Sequence, residues 1–106
     1  MKIKVLQFTD DPGPRSIEDG PNSGEKFRKE YLEPAYHRAC EVDEVLVVDL
    51  DGTSGYASSF LEEAFGGLVR DIGDPHPVRN KIEIKSDDRP WYVNEVREYI
   101  REGNKA

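Results

Sequence analysis

The strongest constraint on the fold of this chain is residues 45–50, which read valine, leucine, valine, valine, aspartate and leucine. Four consecutive apolar residues, most of them β-branched, are typical of a central strand that is buried on both faces. Such strands belong to parallel sheets, whose neighbouring strands are joined by long crossovers that are usually helical. The chain is therefore expected to place helices on either side of this strand in sequence.

Two other segments have strand patterns. Residues 2–8 begin with alternating lysine and apolar residues, and residues 81–85 alternate cleanly between charged and apolar side chains. Both patterns predict strands with one solvent-facing side. The segment between the first strand and residue 24 is rich in Pro, Gly, Asp, Asn and Ser and predicts a long loop, with a short edge strand at 15–18 as one option.

Apolar residues recur at helical spacing in segments 24–39, 59–72 and one that begins around Asp88 and Pro90. Asn22 and Glu25 fit a capping box for the first helix. Pro34 lies inside that helix and predicts a kink or break near Leu32. Residues 73–77 contain two prolines and predict a connector that is not helical throughout.

Two adjacent glycines interrupt the second predicted helix. Gly66 and Gly67 each cost about 1 kcal/mol relative to alanine in a helix interior. They predict either a close approach of another backbone to this turn or a break in the helix.

The predicted order is strand, loop, helix, strand, helix, strand, helix. We therefore expect a single small α/β domain with a mostly parallel central sheet and three main helices packed on it. The length of 106 residues allows one core, and residues 102–106 are expected to form a frayed tail.

Composition argues against several classes of function. The net charge of −7 opposes binding to a phosphate backbone, so no nucleic-acid partner is expected. No apolar run approaches the roughly 20 residues that cross a bilayer, so no membrane association is expected either. The single cysteine, Cys40, excludes an internal disulfide and favours a reducing, cytoplasmic location.

The residues also argue against catalysis. The Gly-x-Ser-x-Gly elbow of hydrolases is absent, and His37 and His76 are the only histidines. Asp49 and Asp51 are not joined in sequence by a histidine or cysteine, so no metal ligands are predicted. No catalytic residue and no cofactor is expected, and Asp51 with Gly52 is favoured as a turn.

Two adjacent serines open the second predicted helix. Ser59 and Glu62 match the Ser-x-x-Glu capping box, a cap that stabilises a helix by about 1 kcal/mol. Ser58 is then left near the positive end of the helix dipole, where a phosphate would be favoured. Glu62 and Glu63 would oppose that phosphate. The chemistry alone leaves two interpretations of Ser58 open, a regulated position and a plain linker.

Four segments carry a family resemblance: residues 20–28, 32–35, 47–52 and above all 58–68. Over nearly the whole chain the sequence resembles the STAS-like family DUF4325, whose molecular function is not established. More distantly it is similar to the STAS domains of anti-sigma-factor antagonists, which carry a phosphorylatable serine after a central strand in an Asp-Ser-Ser-Gly-Leu context. Residues 57–61 occupy that place, with Ala57 instead of the acidic residue and Phe60 instead of the glycine.

The resemblance implies that Ser58 is the phosphoacceptor and that a GHKL-type ATPase/kinase phosphorylates it, so that phosphorylation decides which partner is bound. The leading hypothesis is a non-catalytic regulatory interaction module. The alternative is a small-ligand or nucleotide-binding module, and an enzyme is the least favoured. A homodimer is a further expectation, because Phe60, Phe65 and Trp91 exceed what a small core hides. The expected partner or ligand surface consists of Arg15, Asn22, Ser23, Asp51, Gly52, Tyr56, Ser58 and Phe60.

Overall fold

Three parallel strands form the sheet in the computed structural model, which describes residues 1–105. The strands are β1 (Lys2–Lys4), β2 (Leu46–Asp49) and β3 (Ile82–Lys85), with β2 in the middle. Val48 pairs with Ile3 on one side and with Ile84 on the other. The predicted α/β architecture and the central place of the 45–50 segment are confirmed.

Four helices accompany the sheet. Helix α1 covers residues 24–41 and consists of Gly24–Phe27, a π-helical turn Arg28–Leu32 and Glu33–Glu41. Helix α2 covers residues 58–72 and consists of Ser58–Leu61, a π-helical turn Glu62–Gly66 and Gly67–Ile72. Helix α3 is Pro75–Lys81 and helix α4 is Trp91–Glu102.

Side chains along β2 and β3 show that one face of the sheet is covered and the other is open. Leu46 and Val48 are buried, whereas Val47 between them is only half-buried and Glu83 on β3 is exposed. Right-handed crossovers with the strand order 1-2-3 place both connections on the same face of the sheet. The prediction that β2 is buried on both faces is therefore wrong, and Val45 just before it is 49% exposed.

The first strand is shorter than predicted, and the segments after it form 3₁₀ turns. β1 ends at Lys4, and a 3₁₀ turn (Val5–Gln7) follows because the amides of Phe8 and Thr9 bond back to the carbonyl of Val5. The edge strand considered at 15–18 is not formed. A second 3₁₀ turn, Ile17–Asp19, lies there instead.

Pro34 does not break α1. The amide of Glu33 bonds to the carbonyl of Arg28, five residues earlier, which is the bonding pattern of a π turn. Pro34 is the second residue after this turn and has no N–H to leave unpaired. The widened turn carries the helix past the proline, so the helix is not broken, and the irregularity near Leu32 takes the form of a π turn.

Gly66 of the α2 glycine pair meets another backbone, as its sequence predicted, whereas Gly67 lies against the side chain of Arg28. A Cβ on Gly103 would lie 2.8 Å from the carbonyl oxygen of Gly66, and Gly103 is itself buried. Glu102 is the last residue of α4. The frayed tail predicted for 102–106 is therefore wrong at its first two residues, because α4 continues and Gly103 packs on α2, while Ala106 lies outside the described residues.

Helix α3 replaces the connector predicted at 73–77. The carboxylate of Asp74 accepts a hydrogen bond from the amide of His76 at 3.0 Å and caps the helix. Pro75 occupies the first helical position, where a missing N–H costs nothing. Because α3 extends to Lys81, β3 begins at Ile82 instead of residue 81.

Three phenylalanines lie in the mainly aliphatic core beneath the covered face. Phe27, Phe60 and Phe65 are all fully buried, so the core accommodates two of the three residues that were expected to exceed it. Trp91 is 61% exposed. No helix within residues 1–105 has the length and apolar character needed to cross a membrane.

Candidate functional site

The loops that follow the three strands meet at one end of the sheet. Ser54 donates its hydroxyl to Asp11 at 2.6 Å and its amide to the carbonyl of Asp10 at 2.8 Å. On the other side, the amide of Gly52 donates to Asp88 at 3.1 Å. The loop between β2 and α2 is thus joined to both of its neighbours, and open α/β sheets commonly present their sites at this end.

Asp51 organises the loop after β3. One carboxylate oxygen accepts the ammonium group of Lys85 at 2.6 Å, and the other accepts the amides of Asp87 at 2.7 Å and Asp88 at 3.0 Å. Burial acts to raise the pKa of Asp51, but the hydrogen bonds from Lys85 and from the two amides outweigh it and lower that pKa. Both oxygens of this expected ligand-binding residue are therefore used within the protein.

A second carboxylate lies beside this pair. Asp49 is buried at the end of β2, 3.5 Å from the ammonium nitrogen of Lys2 and 3.8 Å from that of Lys85. Lys85 also pairs with Asp87 at 2.9 Å. Within residues 1–105 no three or more His, Cys, Asp or Glu side chains are grouped so as to hold a metal ion.

Arg15 connects the long first loop to α2. Its guanidinium group lies 2.6 Å from a carboxylate oxygen of Glu62 and 3.3 Å from one of Glu63. Glu62 also pairs with Arg70 at 2.7 Å, and the hydrogen bonds from Arg70 and Arg15 lower the pKa of Glu62 against the effect of burial. The carboxylate of Glu62 is thus directed at two arginines instead of the start of its own helix.

The start of α2 differs from the predicted capping box. Ala57 is the N-cap residue, with extended backbone angles (φ −73°, ψ 146°), and its carbonyl accepts the amides of Phe60 and Leu61 at 3.1 and 3.3 Å. Ser59 is already the second residue of the helix. The cap assigned to Ser59 and Glu62 is therefore wrong, because the N-cap lies two residues earlier than the Ser-x-x-Glu pattern requires.

Ser58 is exposed at the first position of α2. Its hydroxyl donates to a carboxylate oxygen of Glu95 on α4 at 3.2 Å, and the same oxygen accepts the hydroxyl of Tyr99 at 2.8 Å. Burial and the hydrogen bond to Glu95 raise the pKa of Tyr99. Sequence reasoning missed Glu95 and Tyr99, since their spacing of four is visible on α4 but nothing in the sequence relates them to Ser58.

Aromatic residues surround this helix start. The ring of Tyr56 is perpendicular to that of Tyr92, with centroids 5.1 Å apart, and the Tyr92 hydroxyl accepts the amide of Tyr56 at 3.0 Å. Burial raises the pKa of Tyr56, whose hydroxyl donates to the carbonyl of Leu50 at 2.7 Å. The ring centroids of Trp91 and Tyr92 are 5.8 Å apart. Trp91 is the most exposed large apolar residue among residues 1–105.

The start of α1 is capped by Ser23. Its hydroxyl accepts the amide of Lys26 at 3.1 Å, whereas Asn22 donates its side-chain amide to the carbonyl of Asp11. The capping box predicted for Asn22 and Glu25 is therefore wrong: the N-cap is one residue later, and Glu25 accepts the amide of Ile17 instead. Ser23 and Phe60 are both fully buried, so they do not belong to the expected partner surface.

Six residues of the expected surface remain accessible, although they are not equally free. The exposed residues are Arg15, Gly52 and Ser58. The half-buried residues are Asn22, Asp51 and Tyr56. Of the side chains among them, Arg15, Asn22 and Asp51 hold loops in place through the bonds described above. Ser58 is the exposed member whose bond joins the starts of two helices.

A buried arginine forms a second charged cluster, between α1 and α2, that sequence reasoning did not anticipate. Arg28 lies 3.2 Å from carboxylate oxygens of Glu33 and Asp71, and it also bonds to the carboxylate and carbonyl of Glu63. Burial and the neighbouring carboxyl of Asp71 raise the pKa of Glu33 to about 7. The hydrogen bond with Glu33 lowers the pKa of Asp71, so Glu33 is the carboxyl of this pair that takes up a proton first.

These features define a small α/β domain with a three-stranded parallel sheet, closely tied loops at one sheet end and an exposed serine at the start of a helix. The chain belongs to the family described as the STAS-like domain of unknown function (DUF4325), which matches residues 23–90. The resemblance inferred from the sequence is thus confirmed. The matched region contains Ser58 and ends before Glu95 and Tyr99. No curated protein and no solved structure matches the chain.

Proposed function

We propose that this protein is a cytoplasmic regulatory module without catalysis of its own, whose binding to a protein partner is controlled by phosphorylation of Ser58. The observation that carries the proposal is the position of Ser58, exposed at the first turn of α2 and bonded to Glu95 of α4. The more distant similarity to the STAS domains of anti-sigma-factor antagonists suggests the class of partner, a GHKL-type ATPase that acts as the kinase.

The surroundings of Ser58 are compatible with an added phosphate. The start of a helix favours negative charge through its dipole and its free amides, and Ala57 supplies no side-chain cap that would occupy them. Glu62 and Glu63, the nearest acidic residues of α2, are each paired with arginines. Their repulsion of a phosphate is offset by those arginines.

A phosphate on Ser58 would change the contact between α2 and α4. In the transfer, the hydroxyl oxygen of Ser58 takes the γ-phosphoryl group of ATP, ADP leaves and the hydroxyl proton is released. The product carries close to two negative charges at neutral pH. Those charges would face Glu95, so the bond from Ser58 to Glu95 would be replaced by repulsion and the start of α4 would be displaced.

The displaced region carries the exposed aromatic surface. Trp91 and Tyr92 open α4, and Tyr92 contacts Tyr56 of the loop that precedes Ser58. Exposed tryptophan and tyrosine are the residue types most enriched at the energetic centres of protein interfaces. A partner that binds Trp91 and Tyr56 would therefore respond to the charge on Ser58.

The experiment incubates the protein with ATP and a GHKL-type ATPase from the same organism, followed by intact-mass measurement and peptide mapping. We expect a gain of one phosphoryl group on Ser58, none in the Ser58→Ala variant and an unchanged gain in Ser59→Ala. An absence of phosphorylation in the unmodified protein, or phosphorylation of Ser59, would refute the proposal.

The alternative is a small-ligand or nucleotide-binding module at the sheet end. Asp51 and Arg15, the residues expected to contact such a ligand, are both engaged in internal ion pairs. A ligand would have to compete with those pairs, which favours the regulatory proposal. A thermal shift with a nucleotide or metabolite that disappears in Arg15→Ala would reverse that preference.

A further inference from the structure

A groove runs between the free edge of β3 and one face of α4. It encloses about 640 Å³, and its floor is formed by Ile82, Ile84 and Ile100, all at most 9% exposed. Its walls carry polar and charged side chains from α3, β3 and α4, namely Arg79, Glu83, Asn94, Arg97, Glu98 and Arg101. The α4 residues 94, 97, 98 and 101 have the spacing of a single helix face. The groove does not contain Ser58 or its bonding partners.

The edge of β3 presents unpaired backbone groups to this groove. One edge of β3 pairs with β2, and its other edge has no neighbouring strand among the described residues. Lys85 belongs to the residues whose backbone groups point toward β2, because its carbonyl accepts the amide of Leu50 at 2.8 Å. In a parallel strand alternate residues direct both backbone groups to the same side. The amide and carbonyl of Ile84 therefore face away from β2, along the open edge, where an added strand would pair with them.

The groove also has positive charge without internal partners. Arg101 pairs with Glu98, but Arg79 and Arg97 form no ion pair and no side-chain hydrogen bond within residues 1–105. Both side chains are exposed. In a chain of net charge −7 this is a local reversal of sign, and acidic groups complement it.

We infer that this groove binds an extended acidic segment of a partner protein, which adds as a fourth strand to the edge of β3. The backbone of the segment pairs with Ile84, and its side chains alternate between the two faces. Those on the α4 side carry carboxylates toward Arg97, with Arg79 at the neighbouring wall. The apolar floor accepts small aliphatic groups. A second copy of this chain fits less well, because two copies paired edge to edge would bring their arginines together.

This inference is independent of the proposed regulation, since it requires neither Ser58 nor phosphate. If no acidic peptide binds the groove, the proposal for Ser58 still stands. If Ser58 is not phosphorylated, the proposal for the groove still stands. The two surfaces share only α4, whose Glu95 and Tyr99 face Ser58 while Asn94 and Arg97 line the groove.

The test measures fluorescence polarisation of labelled eight-residue peptides at physiological salt, where the Debye length of about 8 Å screens the overall charge of the chain. One peptide alternates glutamate with valine. A second alternates lysine with valine, and a third has the first sequence with alternate backbone amides N-methylated. We expect saturable binding of the first peptide, with binding at least about tenfold weaker, which is about 1.4 kcal/mol, for the other two.

Variants locate the site. Arg79→Glu combined with Arg97→Glu should weaken binding of the acidic peptide at least tenfold, whereas Arg38→Glu, an exposed arginine of α1 outside the groove, should leave it unchanged. In the unmodified protein the amide resonance of Ile84 should shift on titration, a readout that does not depend on any variant folding.

Four results would overturn the inference. Equal binding of the N-methylated peptide would exclude strand addition, and equal weakening by Arg38→Glu would reduce the effect to general electrostatics. A dimer in light scattering that the Arg79→Glu and Arg97→Glu combination alters would assign the edge to self-association. An absence of binding by the acidic peptide would overturn the inference directly.

Discussion

The hydroxyl of Ser58 lies 3.2 Å from a carboxylate oxygen of Glu95, so a residue at the first turn of α2 is joined to α4 across 37 positions of sequence. A negative charge placed at Ser58 meets that carboxylate. The same charge is favoured by the dipole of α2, by about 0.3–1 kcal/mol. The balance between these two effects is testable by mutation.

We predict that Ser58→Glu lowers the free energy of unfolding in the unmodified protein but not in a Glu95→Gln background. In that background the helix dipole acts without the opposing carboxylate. Chemical denaturation of the four proteins of this double-mutant cycle should give a coupling of about 0.5–1 kcal/mol. Ser59→Glu in both backgrounds is the matched control. Identical effects of Ser58→Glu with and without Glu95 would show that the two residues do not interact.

The two serines at helix starts should differ in their contribution to stability. Ser23 caps α1 by accepting the amide of Lys26, so Ser23→Ala should cost about 1 kcal/mol. Ser59 caps nothing and lies inside α2, where alanine has the higher helix propensity. We therefore expect Ser59→Ala to be neutral or slightly stabilising in thermal denaturation. A loss for Ser59→Ala as large as that for Ser23→Ala would restore the capping box that the sequence suggested.

The carboxylate of Asp51 should stabilise the sheet end in a pH-dependent way. Asp51→Ala removes the partner of two amides and of Lys85 and should lower the free energy of unfolding by about 1–2 kcal/mol. The pKa of Asp51 is lowered in the folded state, so its contribution is present above the unfolded pKa of about 3.9 and is lost as the pH falls. Urea denaturation at pH 7 and pH 3 should show the difference shrinking in acid.

Asp87→Ala is the matched control for Asp51→Ala, because Asp87 is 79% exposed and also pairs with Lys85. An exposed pair of this kind contributes at most about 1 kcal/mol. Equal losses for the two variants, or a loss for Asp51→Ala that does not shrink in acid, would contradict the assigned role of Asp51.

The carboxyl of Glu33 should give the opposite pH dependence. Its pKa is raised to about 7 by burial and by Asp71, so the folded state holds a proton that the unfolded state releases near its own pKa of about 4.3. The resulting stability is complete below that unfolded value and is lost as the pH rises through about 7. Glu33→Gln should remove this decline and raise the free energy of unfolding at pH 8.

The control for Glu33→Gln is Glu30→Gln, an exposed position of the same helix. Melting temperatures measured at several pH values between 4.5 and 8 compare the three proteins. A slope in Glu33→Gln as steep as in the unmodified chain would show that another group carries the proton.

Periodicity in the sequence was sufficient to predict the main architecture. The 45–50 segment lies at the centre of the sheet, and the apolar spacing around Phe60 and Phe65 gave the second helix to within one residue at its start. The open face of the sheet was not predicted, because an apolar run such as Val45 to Val48 does not reveal whether both of its faces are covered. Helix α3 was missed because Pro75 and Pro77 were interpreted as helix breakers. Both lie in the first turn of the helix, where proline is tolerated.

Contacts between distant segments limited the prediction of the site. Ser58 was expected just outside the second helix and is its first residue, and its bond to Glu95 depends on how α4 docks. Glu62 was assigned to a cap because its spacing from Ser59 is right, whereas two arginines from other turns bind it. Short-range patterns identify which residues can make a bond, and the tertiary fold decides which bond is made.

The central claim is that phosphorylation of Ser58 controls partner binding. Isothermal titration calorimetry tests this most directly, with unmodified and Ser58-phosphorylated protein titrated into the GHKL-type ATPase that phosphorylates Ser58. We expect affinities that differ at least tenfold, equivalent to about 1.4 kcal/mol, and a difference that is reduced in Glu95→Gln. Equal affinities of the two forms for a partner that binds both would contradict it.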